Sequence, residues 1–313
     1  MELTQLQYFR TVANTGSMTK AAEQLHLTQP ALSRTISRLE DDLGVKLFNR
    51  AGNRIMLSHE GRVFLFRVEQ FLSELDDGVK EIQDMSSEGK GHISFIMDTP
   101  GLLNQFLAHY LSAYPELQVF TREANPLIAV NAIEERSVDF AILSQQPAAP
   151  RIQWKELIEE PYLMLVSKSD PLSDAEKIDL TEAERKPFIF THSTVTPGVY
   201  GDTVTQFCNL AGFEPKVSYK GMTSEIVYQL VAGSRGVLLV PASIWYCSAS
   251  PALVNARHSI KALKISYPRC RSVTGIATLR GGYVSRAAAS ALESLNIFYR
   301  DIRNKLSEYG VLD

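Results

Sequence analysis

The stretch from Thr28 to Gly44 places the strongest constraint on what this chain can fold into. Its apolar residues recur at steps of four, three and four, which is the period of one helix face: Leu32, Ile36, Leu39 and Leu43. Thr28 is a typical helix N-cap, Pro30 suits the first turn and Gly44 is a common helix end. The pattern therefore predicts an amphipathic helix with one buried face.

The opposite face of that helix is polar and carries two arginines, in the set Gln29, Pro30, Ser33, Arg34, Ser37 and Arg38. Two helices are predicted before it, over residues 4–14 (with Thr4 as N-cap) and 19–25. A short helix, a tight turn and an amphipathic helix with a polar outer face are typical of a helix-turn-helix. Arginine can contact guanine, glutamine adenine, and serine either base, so this outer face is predicted to read DNA.

Two short apolar runs follow, at residues 45–48 and 55–57, and they predict a two-stranded wing. The intervening turn contains Arg50 and Arg54, which are placed to reach a neighbouring groove or the phosphate backbone. We therefore predict a winged helix-turn-helix DNA-binding domain over residues 1–60.

Bulk charge does not by itself indicate nucleic-acid binding, because the whole chain of 313 residues has a net charge of −3. Within the first sixty residues, seven basic and six acidic residues give +1, and five of the seven bases lie between positions 34 and 54. No run of about 18 apolar residues predicts a membrane span, and the N-terminus lacks the pattern of a secretory signal. We expect a cytoplasmic protein with no membrane partner.

A specific set of residues runs through this region: Leu6-Gln7-Tyr8-Phe9, Gly16-Ser17, Ala21-Ala22, Leu25, Gln29-Pro30-Ala31-Leu32-Ser33, Ile36, Leu39-Glu40, Leu43-Gly44, Leu47-Phe48, Arg50 and Gly61. In these residues the chain resembles the LysR-type transcriptional regulators. The resemblance implies that Gln29, Pro30, Ser33 and Arg34 approach bases and that Arg50 and Arg54 serve the wing. It also implies a double-stranded DNA operator as partner, with RNA polymerase as a further candidate.

A long helix is predicted over residues 58–85, with apolar residues at 64, 68, 71, 75, 79 and 82. This spacing is close to the 3.5-residue period of a coiled coil. The predicted dimerisation residues are Phe64, Val68, Phe71, Leu72, Leu75 and Val79, within a linker and hinge over residues 61–88. The alternative is that the helix packs on its own domain. Self-association as a dimer or tetramer is favoured because paired half-sites raise both affinity and specificity.

From residue 89 to 313 predicted strands and helices alternate, which indicates α/β architecture. Strands are predicted at 93–97, 118–122, 140–143, 162–166, 188–190, 216–219, 237–240 and 273–279. Helices are predicted near 101–113, 126–136, 198–211, 224–233 and 284–306. Threonine and proline precede two of these helices in similar runs, 96–101 and 194–198, which suggests two lobes built alike with a ligand cleft between them.

The family resemblance implies a periplasmic-binding-protein-like, two-lobed effector domain. Lobe 1 is expected at about 90–162 and 267–313, and lobe 2 at about 163–266. In that layout the effector-binding residues are Thr99, Pro100, Asn125, His192, Thr194, Thr196 and Thr223. Many relatives place an arginine early in the second-lobe helix, where this chain has residues 198–201 without one. A small organic anion is therefore a candidate effector only if backbone amides, hydroxyls or a base such as Arg122 or His192 hold it.

Sequence motifs of catalysis and metal binding are missing, so no enzyme, metal site or cofactor is expected. Cys208, Cys247 and Cys270 are widely spaced and are expected to be reduced core residues, with a redox sensor as the alternative. The main hypothesis is a ligand-responsive transcriptional regulator. A solute-binding module without a regulatory role and an enzyme are the competing hypotheses.

Overall fold

The computed structural model describes residues 1–51, 54–86, 91–98, 101–191, 199–221 and 224–312. The chain folds into two compact units, Met1–Gln83 and Asp84–Asp313. The predicted linker helix therefore belongs, over most of its length, to the same unit as the winged helix.

The first unit is helical with a two-stranded ribbon. Its elements are α1 (Leu3–Thr15), α2 (Met18–Gln24), α3 (Gln29–Leu43), β1 (Phe48–Ala51), β2 (Arg54–Leu57) and α4 (His59–Ser86). One core joins all of the helices, and Phe9 lies at its centre with no exposed surface. The ring of Phe9 lies 5.3 Å from those of both Phe48 and Phe64, so α1 holds the ribbon and α4 together.

Two local predictions in this unit were wrong. The N-cap of α1 is Glu2 rather than Thr4, because Glu2 and Gln5 form a reciprocal capping box. The first strand begins at Phe48 rather than Val45. The backbone N–H groups of Leu47 and Phe48 donate to the buried carboxylate of Glu40, at 2.9 and 3.2 Å, so this stretch is held by α3 before the ribbon starts.

The second unit is α/β. Its strands are β3 (His92–Met97), β4 (Gln118–Glu123), β5 (Phe140–Leu143), β6 (Ile152–Ser167), β7 (Lys177–Asp179), β8 (Pro187–Thr191), β9 (Lys216–Gly221), β10 (Leu238–Pro241), β11 (Ile260–Tyr267) and β12 (Arg271–Leu279). Its helices are α5 (Leu103–Ala113), α6 (Pro126–Glu134), α7 (Val199–Leu210), α8 (Ser224–Ala232), α9 (Ala242–Cys247), α10 (Pro251–Ala256) and α11 (Arg286–Glu308).

Strand β6 is common to two lobes. Its first part, Ile152–Pro161, pairs with β12, and its last part, Tyr162–Ser167, pairs with β10 and β11. The main sheet has the order β4-β3-β5-β12-β6-β11-β7, and β8 pairs with β9 in parallel. The chain thus leaves the first lobe along β6 and returns to it between β11 and β12. This is the two-lobed α/β fold that the sequence predicted.

Each lobe has apolar clusters on both faces of its strands. In the first lobe, α5 and α11 cover one face and α6 covers the other. In the second lobe, one cluster includes residues of α7 and the other includes residues of α8 and α10. The C-terminal helix α11 packs on the first lobe, where its apolar residues share one core with residues of β3, α5 and β5.

Several elements of this unit were missed or mispredicted. Strands β7 and β11 and helices α9 and α10 were not predicted, and β6 was predicted only from Tyr162 onward. The missed part of β6 contains charged residues such as Lys155 and Glu156, which interrupt the apolar pattern. They are exposed in the structure, where the strand is held by its pairing with β12 rather than by burial of both faces.

Candidate functional sites

The outer face of α3 is the candidate DNA-reading face. Leu32 and Leu39 have no exposed surface and Ile36 is 2% exposed, so the opposite side of the helix is fixed in the core. Of the predicted reading residues, Gln29, Pro30, Arg34, Ser37 and Arg38 are exposed and Ser33 is half-buried. The structure therefore brings these six residues together on one surface.

The two arginines of that surface are available for a partner. Neither Arg34 nor Arg38 makes a hydrogen bond or ion pair with another residue in the described part of the chain. Arg50 lies on β1 opposite Ile55, and Arg54 lies on β2 opposite Ala51. Both predicted wing arginines thus lie on the ribbon, but their side chains are outside the described part of the structure.

Glu40 positions the wing relative to α3, a role that the sequence pattern did not indicate. Glu40 is 7% exposed, and its carboxylate accepts hydrogen bonds from the backbone N–H groups of Leu47 and Phe48. It also lies 2.8 Å from the ammonium group of Lys46. Two charge-assisted hydrogen bonds to the backbone fix the start of β1. No spacing rule links residue 40 to residues 47 and 48, so only the folded contact reveals this function.

The predicted dimerisation residues divide into a buried group and an exposed group on α4. Val68 and Leu72 are 3% and 5% exposed, and they pack with the half-buried Phe64 in the core of the first unit. For these three residues, packing within their own unit, the alternative raised from the sequence, accounts for the burial. Phe71, Leu75 and Val79 are 48%, 43% and 54% exposed. They form an apolar surface with Ile82, which we call the α4 stripe.

The predicted effector-binding residues are mostly beyond the described structure. Thr99, Pro100, His192, Thr194, Thr196 and Thr223 all lie outside the described residues. Asn125 is described, and its side chain caps α6 by accepting a hydrogen bond from the N–H of Ile128 at 2.9 Å. Arg122, suggested as a base for an anion, is exposed on the sheet-edge strand β4 and lines neither of the cavities described below.

A cavity of about 550 Å³ lies between the lobes. It is lined from the first lobe by Ser144, Gln145, Gln146, Trp154, Glu156, Arg271, Ser272 and Val273, from the second by Thr203, Gln206 and Phe207, and by Tyr162 at the crossing. We call it the interlobe cavity. Its volume falls in the range of pockets that hold small organic ligands.

A second cavity, of about 40 Å³, adjoins the interlobe cavity and shares Ser144, Tyr162, Thr203 and Ser272 with it, but its lining extends to Glu160 and Ser243. Glu160 pairs with Ser272 and Glu156 pairs with Gly275, three residues along β12, so the two carboxylates lie on opposite sides of the paired strands. This smaller space has room for no more than a few water molecules. The interlobe cavity is therefore the candidate ligand site.

Glu160 is a buried carboxylate beside the smaller cavity. It is 3% exposed, and it accepts hydrogen bonds from the backbone N–H of Ser243 and, at 2.7 Å, from the Ser243 hydroxyl. Burial raises the pKa of Glu160 to about 7, although the Ser243 donors and the charge of Arg271 act in the opposite direction. The residue ties β6, close to the crossing between the lobes, to the start of α9.

The first-lobe edge of the interlobe cavity is fixed by another buried carboxylate. Asp98, at the end of β3, accepts hydrogen bonds from the backbone N–H and the hydroxyl of Ser144 at 2.8 and 2.6 Å. Ser144 directly follows β5, so this contact holds the ends of two neighbouring strands together. The chain segment that carries Gln145 and Gln146 starts from this fixed point.

The cysteines are free thiols. Cys208 and Cys270 are buried in the same apolar cluster, and Cys247 is half-buried. Burial raises the pKa of the Cys208 and Cys270 thiols to about 12, so little of either is thiolate at neutral pH. A redox sensor needs an accessible, low-pKa thiolate, and these two residues have the opposite properties.

Two absences hold for the described part of the chain. No cluster of three or more histidine, cysteine or acidic residues that could hold a metal ion was found there. None of the helices that could be searched is long and apolar enough to cross a membrane.

Comparison with known proteins identifies the family. Residues 3–62 match the model of the bacterial regulatory helix-turn-helix protein, lysR family, and residues 86–296 match the LysR substrate binding domain. This protein belongs to the LysR family of transcriptional regulators. Its first unit is the DNA-binding domain of a LysR-type regulator, and its second unit is the effector-binding domain.

Similar full-length proteins support that assignment. The chain is 30% identical over 291 residues to the uncharacterized HTH-type transcriptional regulator YybE of Bacillus subtilis, covering 92% of this chain and 96% of that one. It is 29% identical over 315 residues to the transcriptional dual regulator GltC of the same organism, covering 99% and 100%. LysR-type regulators are not enzymes, and a solute-binding module without a regulatory role has no support among these relatives.

Solved structures show the same fold. A full-length OxyR variant from Pseudomonas aeruginosa matches with a TM-score of 0.57 at 22% identity, covering 96% of this chain and 98% of that one. Full-length CbnR in complex with its target DNA matches with a TM-score of 0.50 at 22% identity, covering 96% and 100%. The two-lobed α/β architecture of this LysR-type regulator is thus shared with known members.

Proposed function

We propose that this regulator reads an operator with the outer face of α3, in the cytoplasm, as an oligomer assembled through the α4 stripe. The observation that carries the proposal is the exposed polar surface of α3, on which Arg34 and Arg38 are without partners in the described residues. A helix with a buried apolar face and a free arginine face is the arrangement that enters a major groove. Ser33, Ser37 and Gln29 supply further groups for base edges.

Self-association follows from the same charge argument. The net charge of +1 in the first sixty residues supplies few phosphate contacts, so one copy binds DNA weakly. Two copies on paired half-sites add both phosphate and base contacts. The α4 stripe supplies the apolar surface for that pairing, in a dimer or a tetramer, and RNA polymerase is a candidate partner on the DNA.

A small organic molecule in the interlobe cavity is the proposed effector. The described lining residues include no histidine or cysteine, which favours a binding role over a catalytic one. A ligand that touches both lobes binds differently to different lobe orientations, and so changes their populations. Arg271, which the sequence reasoning did not single out, supplies the cationic group in this cavity that an anionic group on the effector requires.

Substitution of Arg34 tests the DNA-reading role. DNA upstream of the protein's own gene is footprinted first, and binding of the protected segment and of a random duplex is then measured. Arg34→Ala is expected to weaken operator binding by about tenfold to a hundredfold, since a base contact contributes roughly 1–3 kcal/mol. Binding to the random duplex should change much less.

Arg67→Ala is the matched control. It removes the same charge from an exposed position on α4, away from the reading face. It should reduce binding to both duplexes by a similar small factor. If Arg34→Ala weakened both duplexes equally, Arg34 would be a phosphate contact and its proposed role in base reading would be wrong.

A further inference from the structure

The interlobe cavity has opposite charges at its two ends, and this asymmetry specifies its ligand. Glu156 lies on the first part of β6, and Arg271 lies at the start of β12, beside the crossing between the lobes. Residue 156 is opposite residue 275, four residues along β12 from Arg271. At about 3.3 Å per residue the two backbone positions are about 13 Å apart along the strands.

The acidic end combines a carboxylate with an aromatic ring. Trp154 and Glu156 are two residues apart on β6 and therefore point to the same side, and Gly275 lies opposite Glu156 on β12. A Cβ atom at Gly275 would lie only 2.3 Å from Cζ2 of Trp154, so the indole rests directly against the glycine. The glycine thus allows the ring to lie across the strand position that is opposite Glu156. An aromatic face next to a carboxylate is a favourable environment for an ammonium group.

The carboxylate of Glu156 has no hydrogen bond or ion pair with another residue in the described ranges. Its carboxylate is therefore not used to hold the fold. A ligand that presented only negative charge would leave Glu156 facing a like charge inside the cavity. A cationic group on the ligand would instead pair with it.

The basic end is a guanidinium held in a defined orientation. Nε of Arg271 donates to Glu159 at 3.0 Å, and the side chain is only 18% exposed. Its terminal N–H groups have no hydrogen-bond partner among the described residues. An arginine fixed through Nε presents those groups to an acceptor, and a carboxylate matches their spacing.

Neutral polar groups also line the cavity. Gln145, Gln146 and Gln206 carry side-chain amides, and none of these three amides makes a hydrogen bond with another residue in the described structure. These amides can donate hydrogen bonds to, or accept them from, a ligand of either charge, so they do not select the charge of the ligand. Glu156 and Arg271 select it.

We propose that the effector is amphoteric, with an ammonium group bound by Trp154 and Glu156 and a carboxylate or similar anionic group bound by Arg271. This inference rests on the proposed function only in taking the interlobe cavity as the effector site. The expected effector is then a small molecule that carries both a positive and a negative charge, rather than a simple organic anion.

Three probes of equal chain length test this assignment on the full-length protein. 6-Aminohexanoate carries both charged groups, hexanoate lacks the ammonium group and hexylamine lacks the carboxylate. Isothermal titration calorimetry should show binding of 6-aminohexanoate that is about tenfold or more tighter than that of either single-charge probe. Titrations with shorter and longer ω-amino acids, with four and eight carbons, show which separation of the ammonium and carboxylate groups binds best.

Substitutions assign each charged group to its end. Glu156→Gln should bring the affinity for 6-aminohexanoate down to that for hexanoate, and Arg271→Gln should bring it down to that for hexylamine. Glu116→Gln removes a carboxylate from an exposed position that does not line the cavity, and it should leave all affinities unchanged. Thermal melting of each variant verifies that it is folded.

Two results would overturn the proposal: hexanoate binding as tightly as the amino acids and surviving Glu156→Gln, or no binding of any ω-amino acid. Operator binding by the ligand-free protein is measured separately. If the protein fails to bind DNA, the proposed function is wrong whichever probe binds. If it binds DNA but prefers the pure anion, only the effector assignment is wrong.

Discussion

The two halves of α4 have the same apolar pattern but different surroundings. In the first half, Val68 and Leu72 are buried in the core of the winged helix. Beyond Leu72, the residues Leu75, Val79 and Ile82 continue the pattern on a surface that is largely exposed, and Phe71, 48% exposed, lies at the edge of that surface. A helical period therefore shows which side of a helix is apolar but not what covers that side.

The glycines of α4 repeat the contrast. A Cβ atom at Gly61 would lie 2.0 Å from the backbone oxygen of Leu47, whereas a Cβ atom at Gly78 would meet nothing within 4 Å. In the first half the helix backbone is in close contact with its own unit. At Gly78 the helix has open space around it.

The largest expected effect comes from a charge in the α4 stripe. Leu75→Glu should weaken self-association by a hundredfold or more, because an unpaired charge buried in an interface costs about 3–5 kcal/mol. Analytical ultracentrifugation over a concentration series measures the change. Gln70→Glu adds the same charge at an exposed position on another side of α4 and should leave the assembly intact.

A variant with Leu75→Glu that keeps its full oligomeric mass would remove the α4 stripe from the interface. The apolar second half of α4 would then need another explanation, and the comparison between the halves would fail.

An intermediate effect is expected at Gly61. Gly61→Ala should lower the free energy of unfolding of the first unit by about 1–3 kcal/mol, since the new methyl group overlaps backbone atoms that cannot rotate away. Chemical denaturation followed by circular dichroism measures this. Unchanged stability would mean that α4 can move away from Leu47, which would contradict the tight packing of its first half.

The smallest effect, and one of opposite sign, is expected at Gly78. Gly78→Ala should stabilise the helix by up to about 1 kcal/mol, because alanine has the higher helix propensity and the space is open. The same denaturation experiment serves as the measurement. A loss of stability at this position would indicate that the assembled protein brings another backbone close to Gly78, which the isolated chain does not show.

The first unit could be predicted well from the sequence because its site is local. The proposed reading residues from Gln29 to Arg38 lie on one helix, so their spacing alone places them on one side. The start of the first wing strand was mispredicted because it depends on Glu40, which reaches Leu47 and Phe48 through the fold. The overall α/β class of the second unit was also predicted, since alternating strands and helices are visible in the pattern.

The interlobe cavity could not be predicted in the same way. Trp154 and Glu156 come from β6, Arg271 from β12 and Gln206 from α7, and nothing in their sequence separation indicates that they meet. The charged segment before Tyr162 even concealed that a strand was there. The predicted effector residues came from the resemblance to the family, and the one that the structure describes, Asn125, caps a helix.

The sequence by itself determined the family, the winged helix, the exposed polar face of α3 and the apolar side of α4, because each depends on spacing within one element. Only the tertiary structure decided which part of α4 is covered, how Glu40 fixes the wing and which side chains line the cavity. The covered part of α4 depends on packing against α1, and the wing depends on contacts of Glu40 seven and eight positions along the chain. The cavity depends on the register of β6 against β12, which pairs residues more than a hundred positions apart. Such contacts form when the chain folds, and no local pattern records them.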